Sequence, residues 1–193
     1  MGRRAGSPQT REAILEAAVA AFTEHGYAGT TIRAVAKAAE VDPALVMHFF
    51  GSKDGLFAEA IGASALPLRK ILDTVEGRLD GVGARLTTRY LELWEDAETG
   101  AVLHAILSSA ASSPAAREMI TAFMTTELLQ PVAKRLGVDH AENRAILAGS
   151  QLIGIAFTRY ILRVGPMAEL TREELVACVA PVLQRYLTGP LPL

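Results

Sequence analysis

Cysteine is almost missing from this chain of 193 residues: Cys178 stands alone. No internal disulfide can form, and no cysteine cluster is available to hold zinc. Aromatic residues make up only 6% while half the chain is hydrophobic, so any core must be aliphatic. Such a composition buries a sizeable interior and does not suit a disordered chain. Uninterrupted apolar runs are also lacking. The longest candidate, Ile146 to Val164, carries Ser150, Gln151, Thr158, Arg159 and Arg163, too many polar groups for a membrane span. The basic start Met1-Gly2-Arg3-Arg4 runs into Ser7, Gln9, Thr10, Arg11 and Glu12 where a secretory leader needs an apolar core, so a cytoplasmic protein is expected.

Surplus positive charge is missing too. The net charge is −2, and up to Gly55 the bases Arg3, Arg4, Arg11, Arg33, Lys37 and Lys53 are matched by Glu12, Glu16, Glu24, Glu40, Asp42 and Asp54. Composition alone does not suggest DNA, which normally calls for a basic surplus. Chemistry-bearing constellations are equally scarce. His25, His48, His104 and His140 have no metal spacing, and no nucleophilic triad order or phosphate-cradling glycine loop occurs. No enzyme activity, cofactor or metal is expected.

What the sequence does contain is helical periodicity. Ala and Leu dominate and nothing resembles a strand. Ile14, Leu15, Ala18 and Phe22 recur at helical spacing, with Thr10 as a cap and Gly26 as a left-handed stop. A short helix follows from about Thr31 to Ala39. Another opens at Asp42-Pro43, where Asp caps and Pro has no N–H to leave unsatisfied, and Ser52 caps a fourth. Pro67 is expected to interrupt the fourth helix, and Gly77 to Gly83 to form a loop. Leu86, Tyr90, Leu93 and Trp94 share one face. Later helices carry Val102, Leu103, Ile106 and Leu107, and then Ile120, Phe123, Met124 and Leu128, with a kink at Pro131 and a stop at Gly137. Asp139-His140-Ala141-Glu142 and Thr171-Arg172-Glu173-Glu174 both match the capping box. The first of these two helices is apolar nearly all round and must be covered on more than one side. The expected architecture is all-α: a three-helix module over 1–51, with helix-turn-helix proportions at about 31–50, and a larger helical module over 52–193.

The stretch from Thr30 to Phe50 has helix-turn-helix proportions, two short helices joined tightly at Ala39 to Val41. The pattern alone fits a plain three-helix packing unit equally well. The motif Arg11-x-x-Ile14-Leu15-x-Ala17-Ala18, then Phe22-x-x-x-Gly26-Tyr27-x-x-Thr30-Thr31-Ile32, Val35-Ala36-x-x-Ala39, Val41-Asp42 and His48-x-Phe50-x-Ser52-Lys53-x-x-Leu56-Phe57, resembles the N-terminal domain of the tetracycline-repressor (TetR/AcrR) family. The resemblance covers about a quarter of the chain, and it implies a homodimeric repressor that leaves its operator when a small molecule enters the C-terminal domain. It assigns DNA binding to the module over 1–51, and ligand binding and dimerisation to the module over 52–193. It further implies that Thr31 caps the second helix and touches phosphate. Arg33 would lie near the DNA backbone, Pro43, Ala44, Met47 and His48 would face the major groove, and Lys53 would meet a phosphate at a helix start. Two departures stand out. Glu40 occupies a turn position where the family usually has glycine, so the backbone is either strained by roughly 1 kcal/mol or rearranged. Met47 and Phe49 stand near positions where tyrosines commonly donate to phosphate, so fewer backbone contacts are expected.

For the C-terminal module, a cavity lined by Tyr90, Trp94, His104, Leu107, Phe123, Met124, Gln151 and Phe157 is expected, with His104 and Gln151 as polar groups in a mostly apolar site. No Arg or Lys lies among them, so the effector should be apolar or weakly polar. The same residues would equally suit a filled core. Cys178, near an apolar face, is expected to be inert packing. Ile153 and Leu183 are expected at a two-fold four-helix interface. The rival reading is a helical ligand-binding or scaffolding protein that has lost DNA binding.

Overall fold

The computed structural model describes residues 8–64 and 66–192, and every regular element among them is helical. In order, these are α1 (Pro8–Gly29), α2 (Ile32–Ala38), α3 (Pro43–Phe50), α4 (Lys53–Ser64), α5 (Leu66–Thr74), α6 (Val82–Glu95), α7 (Ala97–Ser112) and α8 (Pro114–Met124). They are followed by α9 (Gln130–Leu136), α10 (Ala141–Ala156), α11 (Gly165–Glu169) and α12 (Arg172–Thr188). Two wide π turns, Thr125–Leu129 and Phe157–Ile161, interrupt the series. No helix among the described residues is long and apolar enough to cross a membrane. The described residues gather into two compact units, 8–64 with 102–123 and 66–101 with 124–192. Because α4 packs on α1, it belongs to the first unit. The compact units do not divide after Gly51, where a boundary was expected.

In the first unit, Ile14, Ala18 and Phe22 of α1 are buried with Val35 and Ala36 of α2, Val46 and Phe50 of α3, and Leu56, Phe57, Ala60 and Ile61 of α4. Each large aliphatic or aromatic side chain so enclosed contributes about 1.5–3 kcal/mol relative to exposure. Helix α1 does not end where expected. Gly26 takes φ 67 and ψ 178, but helical turns resume and run to Gly29. That backbone shape is essentially restricted to glycine. It is tied down by Thr30, only 1% exposed, whose hydroxyl donates to the carbonyls of Ala21 and Gly26 at 3.0 and 2.9 Å.

In the second unit α6 packs along α12, and α10 packs on α9 and α12. The loop expected from Gly77 to Gly83 ends at Gly81, and Gly83 is buried inside α6. A side chain there would collide with the carbonyl oxygen of Ala180 and the backbone of Gln184, so glycine permits a close helix approach. Gln184 then bridges, accepting from Gly83 N and donating to Leu79 O, both at 2.9 Å. The kink expected at Pro131 takes the form of the π turn Thr125–Leu129. Proline has no N–H and its ring clashes with the carbonyl a turn earlier, and a wide turn before it absorbs both. Pro67 lies in the first turn of α5, and the residue between α4 and α5 lies outside those described. Pro181 sits within α12, which runs through it without a break.

Candidate nucleic-acid interface

The two short helices of the first unit are set by local chemistry. Thr31 caps α2, its Oγ1 accepting from Ala34 N at 3.1 Å. Asp42 caps α3, its carboxylate accepting from Ala44 N at 2.8 Å, with Pro43 in the first turn. Between them Glu40 has φ 55. The turn therefore keeps the left-handed shape that suits glycine, and a β-carbon sits in it at a cost of about 1 kcal/mol. The alternative of a rearranged turn does not occur.

Helix α3 has a clear inner and outer face. Val46 and Phe50 are buried, and Leu45 and Phe49 are half-buried. Pro43, Ala44, Met47 and His48 are exposed, Met47 by 44% despite being apolar. The outward row is the one the resemblance implies for the major groove, and its length and side chains fit a reading helix there. Arg33 and Lys37 are exposed on α2 and form no ion pair among the described residues, whereas Arg11 is bound to Glu59 and lies over the Phe50 ring.

Lys53 is less available than the resemblance implies. Its ammonium sits 4.3 Å from the Tyr27 ring centroid, and partial burial holds its pKa below the ordinary lysine value, against a smaller opposing effect of Asp54. Tyr27 in turn donates to Asp54. That bond, with burial adding to it, pushes the phenol up to about 12. The sequence motif includes Tyr27 and Lys53 but not Asp54, and only folding makes the three one cluster in which Lys53 already has a partner. Phe22 and Phe57 meet Tyr27 from the core side.

The expected ligand-lining residues fall into both units. His104, Leu107 and Phe123 belong to the first. Of these His104 is exposed, with Nδ1 3.5 Å from Ser108 Oγ. Tyr90, Trp94, Met124, Gln151 and Phe157 belong to the second. There Tyr90 and Trp94 are buried edge to face, with centroids 6.3 Å apart, and Tyr160 stacks on Trp94 at 5.0 Å. Cys178 is exposed, not packed as expected, because it falls between the buried positions Leu175 and Val179 of α12. Leu183 is fully buried and cannot be an interface residue. Ile153 is 42% and Ile146 50% exposed. Among the described residues no group of acidic, histidine and cysteine side chains is arranged to hold a metal.

Two family profiles match the chain: "Bacterial regulatory proteins, tetR family" over residues 14–60 and "Tetracyclin repressor-like, C-terminal domain" over residues 80–187. Together with the helix-turn-helix geometry they define the architecture of a bacterial regulatory protein, and the chain belongs to the TetR family. A solved TetR-family regulator from Streptomyces coelicolor is 31% identical, with 97% of this chain and 99% of that one covered at a TM-score of 0.66. A transcriptional repressor of the same organism is 33% identical over 99 residues, 47% of this chain and 52% of its own. The chain spans from 20% to 52% of the length of the first curated relatives it matches. The multidrug binding protein EbrR, solved with proflavin, shares the fold at 20% identity, with 92% of this chain and 99% of that one covered at a TM-score of 0.64. Members of this family regulate transcription and are not enzymes.

Proposed function

We propose that the protein is a homodimeric repressor that reads a pseudo-palindromic operator and is released by an apolar small molecule. The observation that carries the reading is the outward row Pro43, Ala44, Met47 and His48 on a helix capped by Asp42 and anchored by Val46 and Phe50. In this reading Thr31 and Arg33 touch the DNA backbone. Lys53 reaches a phosphate from its seat over Tyr27, so it contributes charge without spending side-chain freedom. The DNA module comprises 1–51, and 52–193 dimerise and bind the effector. The exposed Ile146 and Ile153 of α10 and Val182 of α12 supply a self-complementary apolar face about a two-fold axis. The reading helices of the two protomers would then lie roughly 34–36 Å apart, or a near multiple. Tyr90, Trp94, Met124, Gln151 and Phe157 supply an effector site of apolar walls with few polar groups.

The test is fluorescence anisotropy with DNA flanking the protein's own coding region, repeated over a range of salt. Lys53→Ala should weaken all sequences alike and lower the salt slope by about one, whereas Met47→Ala or His48→Ala should change sequence preference. Ile153→Glu should give monomers in sedimentation that no longer bind. Absence of sequence-specific binding by a folded dimer would refute the repressor reading in favour of a helical ligand-binding protein.

A further inference from the structure

The indole of Trp94 is only 8% exposed, and its Nε1–H is the one buried side-chain polar group among the described residues with no hydrogen-bond partner. Folding has taken this donor out of water and given it no acceptor, which native structures avoid at nearly all positions. The surroundings prevent the ring from turning to find one. Tyr160 stacks on its face with planes 5° apart, and Tyr90 closes on it edge-on at 62°. Tyr160 is itself held. It lies on the π turn Phe157–Ile161, and its hydroxyl donates to Glu95 Oε1 at 3.5 Å. Glu95 also accepts from Arg172 Nε at 2.6 Å and faces Arg159 Nη2 at 3.9 Å. Arg159 fastens the turn further by donating to Met167 O at 2.7 Å.

The neighbouring Tyr90 hydroxyl does not fill the gap. Burial pushes its pKa up, opposed by its polar contact with Trp94, but that contact is not a hydrogen bond of acceptable geometry, and the indole N–H stays without a partner among the described residues. A trapped water would need about two to four polar partners, and the rings packed on the indole offer few. An anion would bring an unpaired charge into this apolar site, since the carboxylate of Glu95 already engages the nearby arginines.

We infer that Trp94 Nε1–H is the polar anchor of the effector site, donating one hydrogen bond to an uncharged acceptor on a mostly apolar molecule. Carbonyl oxygen, ether oxygen and ring nitrogen all qualify. Tyr160, Glu95, Arg159 and Arg172 are positioning residues that keep the donor aimed and dry. The inference rests on the reading of the second unit as effector-binding. It adds the chemical feature by which the effector is recognised.

The chain has a single tryptophan, so nitrogen-15-labelled full-length protein gives one indole N–H resonance. Quinoline and naphthalene serve as probes, alike in shape but differing by a ring nitrogen. Quinoline should move the resonance downfield to saturation and bind at least about tenfold more tightly than naphthalene, which corresponds to about 1.4 kcal/mol. In Trp94→Phe that preference should vanish. In Tyr160→Phe, which keeps the stack and loses the bond to Glu95, quinoline should weaken about threefold, about 0.65 kcal/mol, with naphthalene unchanged. An indole resonance unmoved by millimolar quinoline overturns the inference, as does equal affinity for the two probes or a preference surviving in Trp94→Phe. The two readings fail separately. A compound that releases DNA without moving the indole resonance leaves the repressor reading intact and overturns the anchor. Quinoline titrating the indole while no compound releases DNA does the reverse.

Discussion

Helices α10 and α12 are preceded by the same signature, a side-chain acceptor followed three residues later by glutamate, and they begin in different ways. At α12 the reciprocal bonds form: Glu174 N donates to Thr171 Oγ1 at 3.2 Å, and Thr171 N donates to Glu174 Oε2 at 2.8 Å. At α10 no side chain caps the helix, and His140 precedes it in the left-handed region at φ 49. The cause is Arg144, 4% exposed. Its Nε and Nη2 take the carbonyl and carboxylate of Asp139 at 2.8 and 2.9 Å. Its Nη1 donates to Tyr186 O and Gly189 O at 3.0 and 2.8 Å. A guanidinium has five N–H donors and cannot lose its charge, so once buried it outbids a local cap for the nearest carboxylate. The signature describes what four residues do when nothing else competes for them.

Removing the competitor should have the largest effect. Arg144→Met deprives the carbonyls of Asp139, Tyr186 and Gly189 of their buried donor. It should cost about 3 kcal/mol or more, seen as a lower urea midpoint with an unchanged slope. If the loss is below about 1 kcal/mol, Asp139 and Glu142 have formed the cap that Arg144 prevented. Next is Thr171→Ala, which should cost about 1 kcal/mol. Asp139→Ala should not act as a cap deletion at all, but through the ion pair to Arg144, and a double-mutant cycle with Arg144→Met should show the coupling.

The left-handed residues sharpen the same contrast at smaller magnitude. His140→Gly at the start of α10 and Glu40→Gly in the turn before α3 should each raise stability by up to about 1 kcal/mol. Relief of the β-carbon strain outweighs the extra freedom that glycine gives the unfolded chain. Thermal melting checks both, and a drop would mean that the side chain holds its turn by contacts stronger than the strain.

The smallest effect is that of pH. The bonds from Thr171 hold the Glu174 carboxylate below its ordinary pKa, so the folded state binds its proton less readily than the unfolded one. The contribution is complete above the ordinary carboxylate range and fades as pH falls through the lowered value. Wild type and Glu174→Gln should differ near neutrality and converge in acid. A persistent gap in acid between wild type and Glu174→Gln would mean that the capping box does not depend on the charge.

Sequence by itself determined the features that depend on neighbours in the chain. Helical spacing placed the helices and their buried faces. Thr31, Asp42 and Thr171 marked starts because a short side-chain acceptor two or three residues ahead of free N–H groups needs no distant partner. The same phase put Pro43, Ala44, Met47 and His48 on the outside of α3, so most of the candidate DNA-reading surface was legible. Tertiary structure decided whatever required a remote group. It seated Lys53 over Tyr27, buried Leu183 while leaving Ile153 and Cys178 outside, required glycine at position 83 under Ala180, and gave Asp139 to Arg144. It also left Trp94 without an acceptor. A chain segment specifies which donors and acceptors it carries, but which of them lose water and which find each other is settled only when separate helices pack together.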